Sequence, residues 1–390
     1  MEFKFADRMD DFEEGIFAAL NEKKLELQKQ GRKVYNMSVG TPDFKPAQHI
    51  MDAVSKAAQD PENYKYALID LPELLDAVRG HYAQRYGVTD LKRSEIMSLY
   101  GTQEGMAHVA LPLCNPGETI LVPNPGYPVF SIGPSLSGAH VETYDLREEN
   151  GYLIDFDHFD KEKAKRAKFM IVSYPLNPVC VAAPDEFYER LIDFANENDI
   201  IILHDNAYSD IIYGGRTGRS FLSFEGAKEV GIEFYSLSKS YNYTGARMSF
   251  AVGNEKIIEA FRRVRSQIDY GIFLPVQYGA IAALTGPQDM VRKQCREYER
   301  RSIALSESMT AAGWKVPKSQ GTMFAWAPIP EKFSSSVEFT MELMEKTGLI
   351  VTPGSSFGSL GEGHVRFALV LDPDTIREAA AAVRDSGILD

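Results

Sequence analysis

The chain has 390 residues, 44% hydrophobic and 25% charged, a size and make-up that suit a globular enzyme of two or three domains. Its 55 acidic residues outnumber 42 basic ones, and the net charge of −13 argues against a nucleic-acid or anionic-membrane surface. Cys114, Cys180 and Cys295 form no CxxC and join no His cluster, so no disulfide framework and no metal site is expected, and a reducing, cytoplasmic setting fits. The opening residues are acidic with no signal-like apolar core, and no apolar run approaches the roughly 20 residues that span a membrane.

In chain order, a helix is predicted over residues 10–30. Strand-like apolar runs follow at 95–100, 119–122, 169–173, 200–204, 234–237 and 249–252. Helix-like stretches lie between several of them, for example 184–198 (PDEFYERLIDFANEN), with apolar residues at helical spacing. Short runs apolar on both faces and joined by helices predict an α/β architecture. Its centre is a mostly parallel sheet with helices on both faces. Beyond about residue 267 the pattern changes to helices over 276–284 and 290–312, a strand-like MFAWAP, another helix, and a closing pair in LIVTPG and HVRFAL. These predict a smaller α+β domain. The expected division is residues 1–45 packing with the small domain, 46–275 as a large domain and 276–390 as the small C-terminal domain. No Gly/Ser-rich linker separates the two, so a connecting helix is expected.

In parallel sheets, ligands gather at the carboxyl ends of the strands. Polar residues cluster at those ends here. Gly101-Thr102-Gln103 follows the first run, Ser173-Tyr174 leads to Asn177, Asp205 closes IIILHD, and Ser236, Ser238 and Lys239 close FYSLSK. Lys239 is flanked by small hydroxyls, and Arg247 follows eight residues on, suited to a bidentate phosphate contact. A carboxylate at Asp205 either caps the following turn or sits buried and needs a cationic partner. Tyr208 and Asn177 offer hydrogen bonds nearby, although Asn177 also reads as an Asn-Pro turn residue. Gly101 and Thr102 present backbone N–H groups and a hydroxyl to an anion. Tyr127, in PNPGYP, is either a ring stacked on a planar ligand or a core aromatic. Arg366, in HVRFAL, is a charge in an apolar strand, to be met by an internal or a substrate carboxylate. Pyridoxal 5′-phosphate chemistry requires such a set: a lysine for the Schiff base (Lys239), an acid to keep the ring nitrogen protonated (Asp205), donors to the ring hydroxyl, a phosphate cradle and a carboxylate anchor.

Together these segments resemble class I/II aminotransferases of the aspartate-aminotransferase-like, PLP-dependent transferase fold type I. SLSKSYNYTGAR is similar to the family's S-x-S-K…G-x-R signature and HDNAY to its D-x-x-Y. YPLNP resembles its Asn-Pro turn, PGYP its stacking-aromatic loop and HVRFAL its arginine strand. GTQEGMAH, LCNPGETILVPNPGYPV and PVQYGAIAALTGPQDMV resemble the branch holding LL-diaminopimelate and glutamate–pyruvate (alanine) aminotransferases.

The resemblance implies a large domain that binds pyridoxal phosphate, and a homodimer. Lys239, Asp205 and Tyr208 would be catalytic. Gly101, Thr102, Gln103, Tyr127, Asn177, Ser236, Ser238 and Arg247 would hold the cofactor, with Tyr66 (or Tyr64) supplied by the neighbouring subunit. Gly40, in VGTPDF, would bind substrate with Asn177 and Arg366. The implied reaction is ping-pong transfer between an L-amino acid and a 2-oxo acid, with glutamate and 2-oxoglutarate as one pair. Three departures leave the substrate open: KYALIDLP lacks a Gly, PLNPVC stands for P-N-N-P-T-G, and Ala246 in TGARMS replaces an aromatic. A C–S lyase would use the same residues. A PLP-sensing regulator would need a DNA-binding module ahead of VGTPDF, where no room is expected, and a basic face.

Overall fold

The computed structural model describes residues 3–11 and 16–390. A seven-stranded sheet organises the middle of the chain. Its strands are β1 Ile96–Leu99, β2 Thr119–Asn124, β3 His140–Asp145, β4 Ala167–Val172, β5 Ile201–Asn206, β6 Gly231–Ser236 and β7 Ser249–Gly253. Their spatial order is β1-β7-β6-β5-β4-β2-β3. Every neighbouring pair from β6 to β3 is parallel, and β7 runs antiparallel to both β1 and β6. All residues of β1, β2, β6 and β7 are buried, which is why they read as continuous apolar runs. β3 lies outside the predicted runs. It is one of the two edge strands, reads HVETYD and buries only Tyr144 fully, so hydrophobicity alone does not mark it.

From β2 the chain moves to β3 on one side of the sheet, and from β4 it moves to β5 on the other. The carboxyl ends of β2 and β4 therefore flank a topological switch point, where a parallel α/β sheet opens a crevice. The loops carrying Tyr127 and Asn177 leave those two strands.

The helix predicted over 10–30 is observed as α1 Ile16–Lys29, with residues 12–15 outside the described set. Further helices are α2 Gln48–Ala58, α3 Pro72–Tyr86, α4 Thr102–His108, α5 Asp185–Asn198, the single turn α6 Leu237–Ser240, α7 Leu274–Thr285 and α8 Asp289–Ala311. In α5, Phe187, Tyr188, Leu191, Ile192, Phe194 and Ala195 are buried, the face expected from their spacing.

Packing divides the chain into two compact units: Thr41–Arg300 with Ser319–Phe324, and Met1–Gly40, Arg301–Lys318 and Ala325–Asp390. Residues 276–300 thus belong with the larger unit, whereas the sequence pattern placed a boundary at 276. The reason is α7, which buries Pro275, Gln277, Gly279, Ala280, Ala283 and Leu284 and packs against α2 and α3. The change of unit comes at Arg301, inside α8. The smaller unit holds most of a three-stranded sheet of β8 Phe324–Pro328, β9 Thr352–Pro353 and β10 His364–Ala368. Leu20 and Leu27 of α1 join Met344 and Ile350 in its core. Among the described residues, no helix is long and apolar enough to cross a membrane.

Candidate active site

Asp205 is the penultimate residue of β5, so it lies inside the strand and is not a helix cap. The Ser173 hydroxyl, just past β4, donates to the Asp205 carbonyl at 3.0 Å and ties the two strand ends together. The Asp205 side chain is buried, and its Oδ1 has no hydrogen-bond partner among the described residues. Burial, and then the Glu233 carboxylate, push its carboxyl up to about 7, while Lys239 pulls the other way. A buried carboxylate left in this state costs stability until a cationic group meets it. Tyr208, three residues on, is buried with its ring edge-on to Phe324, centroids 6.0 Å apart. Asn177 is buried in the loop after β4, and its bond to Pro178 is cis. Tyr127 stands 36% exposed beside Phe130, so it is not a core ring.

Lys239 lies in α6, directly after β6. Ser236 Oγ accepts from the Ser238 N–H at 3.2 Å and caps this turn. The Lys239 carbonyl accepts from Gln294 Nε2 at 2.6 Å, and Gln294 Oε1 in turn accepts from Asn242 Nδ2 at 2.7 Å. Thr244 Oγ1 donates to the Ser238 carbonyl at 2.9 Å. The lysine backbone is therefore pinned from two sides.

The phosphate-cradle candidates converge through sheet register. Leu99 of β1 faces Ser249 of β7 in an antiparallel pair, so the residues two positions beyond each, Gly101 and Arg247, come opposite one another. The Arg247 guanidinium lies so close to Gly101 that a Cβ there would be 2.2 Å from Nη2. With φ at +86°, Gly101 is also in a conformation that side-chain-bearing residues rarely adopt. Arg247 Nη1 donates to the Thr244 carbonyl at 3.2 Å. Thr102 opens α4 beside this contact, with a buried hydroxyl that has no partner among the described residues. Gln103 follows on the same turn and is exposed.

Three further candidates have contacts of their own. Tyr66 is 78% exposed, its ring 5.2 Å from Tyr270. Arg366 and Gly40 belong to the smaller unit. There Arg366 Nη2 donates to the Ser38 carbonyl at 2.9 Å, and the guanidinium sits 4.7 Å from the Phe357 ring. Thr352, the register partner of Arg366, donates from Oγ1 to the same carbonyl at 2.9 Å. The segment leading into Gly40 and the arginine are thus held together. Sequence reasoning missed Gln294 and gave Asn242 no role of its own. Their mutual bond spans 52 positions of the chain, so no local pattern marks it.

A mostly parallel sheet that gathers a lysine, a buried carboxylate and an arginine–glycine contact at its strand ends defines an aminotransferase-type α/β enzyme. The chain belongs to the family described as Aminotransferase class I and II, whose model matches residues 32–383. It is 40% identical over 384 residues to the LL-diaminopimelate aminotransferase of Halothermothrix orenii, covering 98% of each chain. It also superposes on a substrate-bound BacF structure from Bacillus subtilis with a TM-score of 0.93, at 35% identity, covering 99% of this chain and 98% of that one. A probable N-succinyldiaminopimelate aminotransferase from Thermus thermophilus gives a TM-score of 0.90 at 31% identity, covering 95% of this chain and 100% of that one.

Proposed function

We propose that this aminotransferase depends on pyridoxal 5′-phosphate and takes its amino group from LL-diaminopimelate. The acceptor is a 2-oxo acid, with glutamate and 2-oxoglutarate as one pair. The observation that carries the cofactor reading is the buried Asp205 Oδ1, which lacks a partner and feels the charge of Lys239. A protonated ring nitrogen is the partner such a carboxylate suits. The Gly101–Arg247 contact and the Thr102 hydroxyl suit a phosphate, and the residues present therefore fit the group.

Lys239 would hold the cofactor, with Ser236, Ser238, Gln103 and Arg247 on its phosphate side and Tyr127, Asn177 and Tyr208 about the ring. When bound, pyridoxal phosphate supplies an electron sink for the bonds at the substrate Cα. The protein supplies placement and proton transfer. Lys239 Nζ takes the proton from the substrate Cα as base and gives it up again as acid. Asp205 supplies the counter-charge that keeps the sink effective. Arg366 offers its planar fork to the substrate α-carboxylate, with Gly40 and Asn177 beside the substrate.

The substrate reading rests on curated relatives that match over almost their whole length and carry the name LL-diaminopimelate aminotransferase. A homodimer is favoured by an exposed apolar surface. Tyr64, Tyr66, Leu68 and Ile69 lie exposed on one segment, and Tyr270 and Phe273 on another. The segments interlock: Tyr64 meets Phe273 and Tyr66 meets Tyr270, each at 5.2 Å, and a Cβ at Gly271 would fall 2.2 Å from the Ala67 carbonyl. Three cysteines held as thiols suit a reducing, cytoplasmic setting.

The test is amino-group transfer from LL-diaminopimelate, its N-succinyl form, alanine, aspartate, aromatic amino acids and methionine, with 2-oxoglutarate and pyruvate as acceptors. LL-diaminopimelate is expected to give the highest kcat/KM. A higher value for any other donor overturns the substrate reading, and pyruvate with ammonia from a β-substituted amino acid would mark a lyase.

A further inference from the structure

Two residues after Tyr208, the chain buries a second carboxylate that the mechanism above does not use. The Asp210 side chain is 5% exposed and collects donors from three separate elements. Arg85 of α3 donates from Nε to Oδ1 at 2.9 Å. The Ser240 hydroxyl donates to Oδ2 at 2.6 Å, and the Tyr235 hydroxyl of β6 donates to the same oxygen at 3.0 Å. Ser240 is the residue after Lys239. The remaining nitrogens of Arg85 bond the Ser209 and Gly218 carbonyls at 3.0 and 3.3 Å, and the Tyr86 hydroxyl meets Ser209 Oγ at 2.7 Å. The segment from Tyr208 to Asp210 is thereby clamped to α3 while gripping the turn that carries the lysine. Burial alone would raise the Asp210 carboxyl, but Arg85, His81 and Ser240 outweigh it and hold the group below the usual carboxylate range.

From this geometry we propose that Asp210 is a positioning residue, which fixes the Lys239 turn relative to Tyr208 through its bond to Ser240. The inference rests on the reading of Lys239 as the cofactor lysine. Its physical basis is that Lys239 and Tyr208 lie beyond the last paired residues of β6 and β5, Tyr235 and Asn206, so the ladder by itself does not fix their separation. A charge-assisted bond from a buried carboxylate does so with little freedom, and proton transfer at the substrate Cα is sensitive to displacements of about 1 Å. A serine at 240 and an aspartate at 210 are each ordinary in sequence. The bridge exists only because β5 and β6 are neighbours.

The test compares Ser240→Ala, Asp210→Asn, Asp210→Glu and the double variant Ser240→Ala/Asp210→Asn, all as full-length holoenzyme. Borohydride reduction of the wild type, with peptide mapping, is run first. Label on a lysine other than 239 overturns the cofactor reading and this inference with it. With the label on Lys239, Ser240→Ala is expected to lose about 10- to 100-fold in kcat at nearly constant KM and melting temperature. Its cofactor-free form should take up deuterium faster over residues 237–243. The double variant should be no slower than Asp210→Asn alone, because the two side chains act as one unit, and Asp210→Glu should recover part of the rate. Unchanged kcat and exchange in Ser240→Ala, or losses that simply multiply in the double variant, overturn the positioning role and leave the cofactor reading standing. Should Asp210→Asn fail to fold, the kcat and exchange of Ser240→Ala decide the matter.

Discussion

Two buried carboxylates one register step apart, Asp205 on β5 and Glu233 on β6, show opposite solutions to the same problem. Glu233 faces His204 across the ladder, and Asp205 faces Phe234, so the two carboxylates occupy successive rungs. Glu233 is completely buried and satisfied by the protein. Tyr82 and Ser220 hydroxyls donate to Oε1 at 2.8 Å each, while the Phe221 N–H and His204 Nδ1 approach Oε2 at 2.7 and 3.0 Å. Asp205 is nearly as buried, yet its Oδ1 receives no hydrogen bond. The fold assembles four contacts around one carboxylate and leaves Oδ1 of the next without a donor, the feature on which the proposed cofactor reading rests. Burial alone therefore does not distinguish the two acids, and the count of donors does.

The largest expected effect concerns turnover. Asp205→Asn should fold normally and keep the cofactor while kcat falls by about three orders of magnitude, equivalent to about 4 kcal/mol of barrier. Steady-state kinetics beside a thermal melt measures both. Near-native turnover would make Asp205 a second structural acid and erase the contrast.

Glu233→Gln is expected to do the reverse. An amide placed among donors leaves at least one of them unmatched, so unfolding in urea should show a loss of about 2–4 kcal/mol. The folded fraction should keep its kcat. A variant of unchanged stability and reduced turnover would mean that Glu233 acts on the chemistry and not on the fold.

The smallest effect is in pH dependence and belongs to the cofactor-free protein. The folded Asp205 carboxyl is raised to about 7, above its unfolded value, so the folded chain binds the extra proton at intermediate pH. Stability contributed by that proton is present at low pH and lost as pH rises through the folded value. Between pH 5 and pH 8 the wild type should therefore lose on the order of 2–3 kcal/mol relative to Asp205→Asn. Adding pyridoxal phosphate should abolish this loss, because a cation beside the carboxylate favours its charged form. Urea titrations at both pH values, with and without cofactor, give the comparison directly. A loss that persists unchanged with cofactor bound would mean that the ring nitrogen does not meet Asp205.

Much of the architecture was legible from the chain alone. Six of the seven strands of the main sheet announced themselves as short runs apolar on both faces, because a strand covered on both sides has no polar face to display. Lys239, Asp205 and Asn177 could be singled out because the carboxyl end of a parallel strand is a local position, readable where an apolar run meets polar residues. The edge strand β3 escaped because half of it meets solvent. The assignment of α7 to the larger unit escaped because a helix apolar on most sides does not say which core it joins.

What the sequence by itself determined, then, is the alternation of elements and the placing of reactive side chains at strand ends, since both follow from periodicities of two and 3.6 residues and from where they stop. Only the tertiary structure decided that Arg247 lies against Gly101, that Glu233 is satisfied while Asp205 is not, and that Asp210 bridges to Ser240. Each of these depends on which strands become neighbours and in what register. That choice is settled by packing summed over the whole core, and no single stretch of the chain carries it.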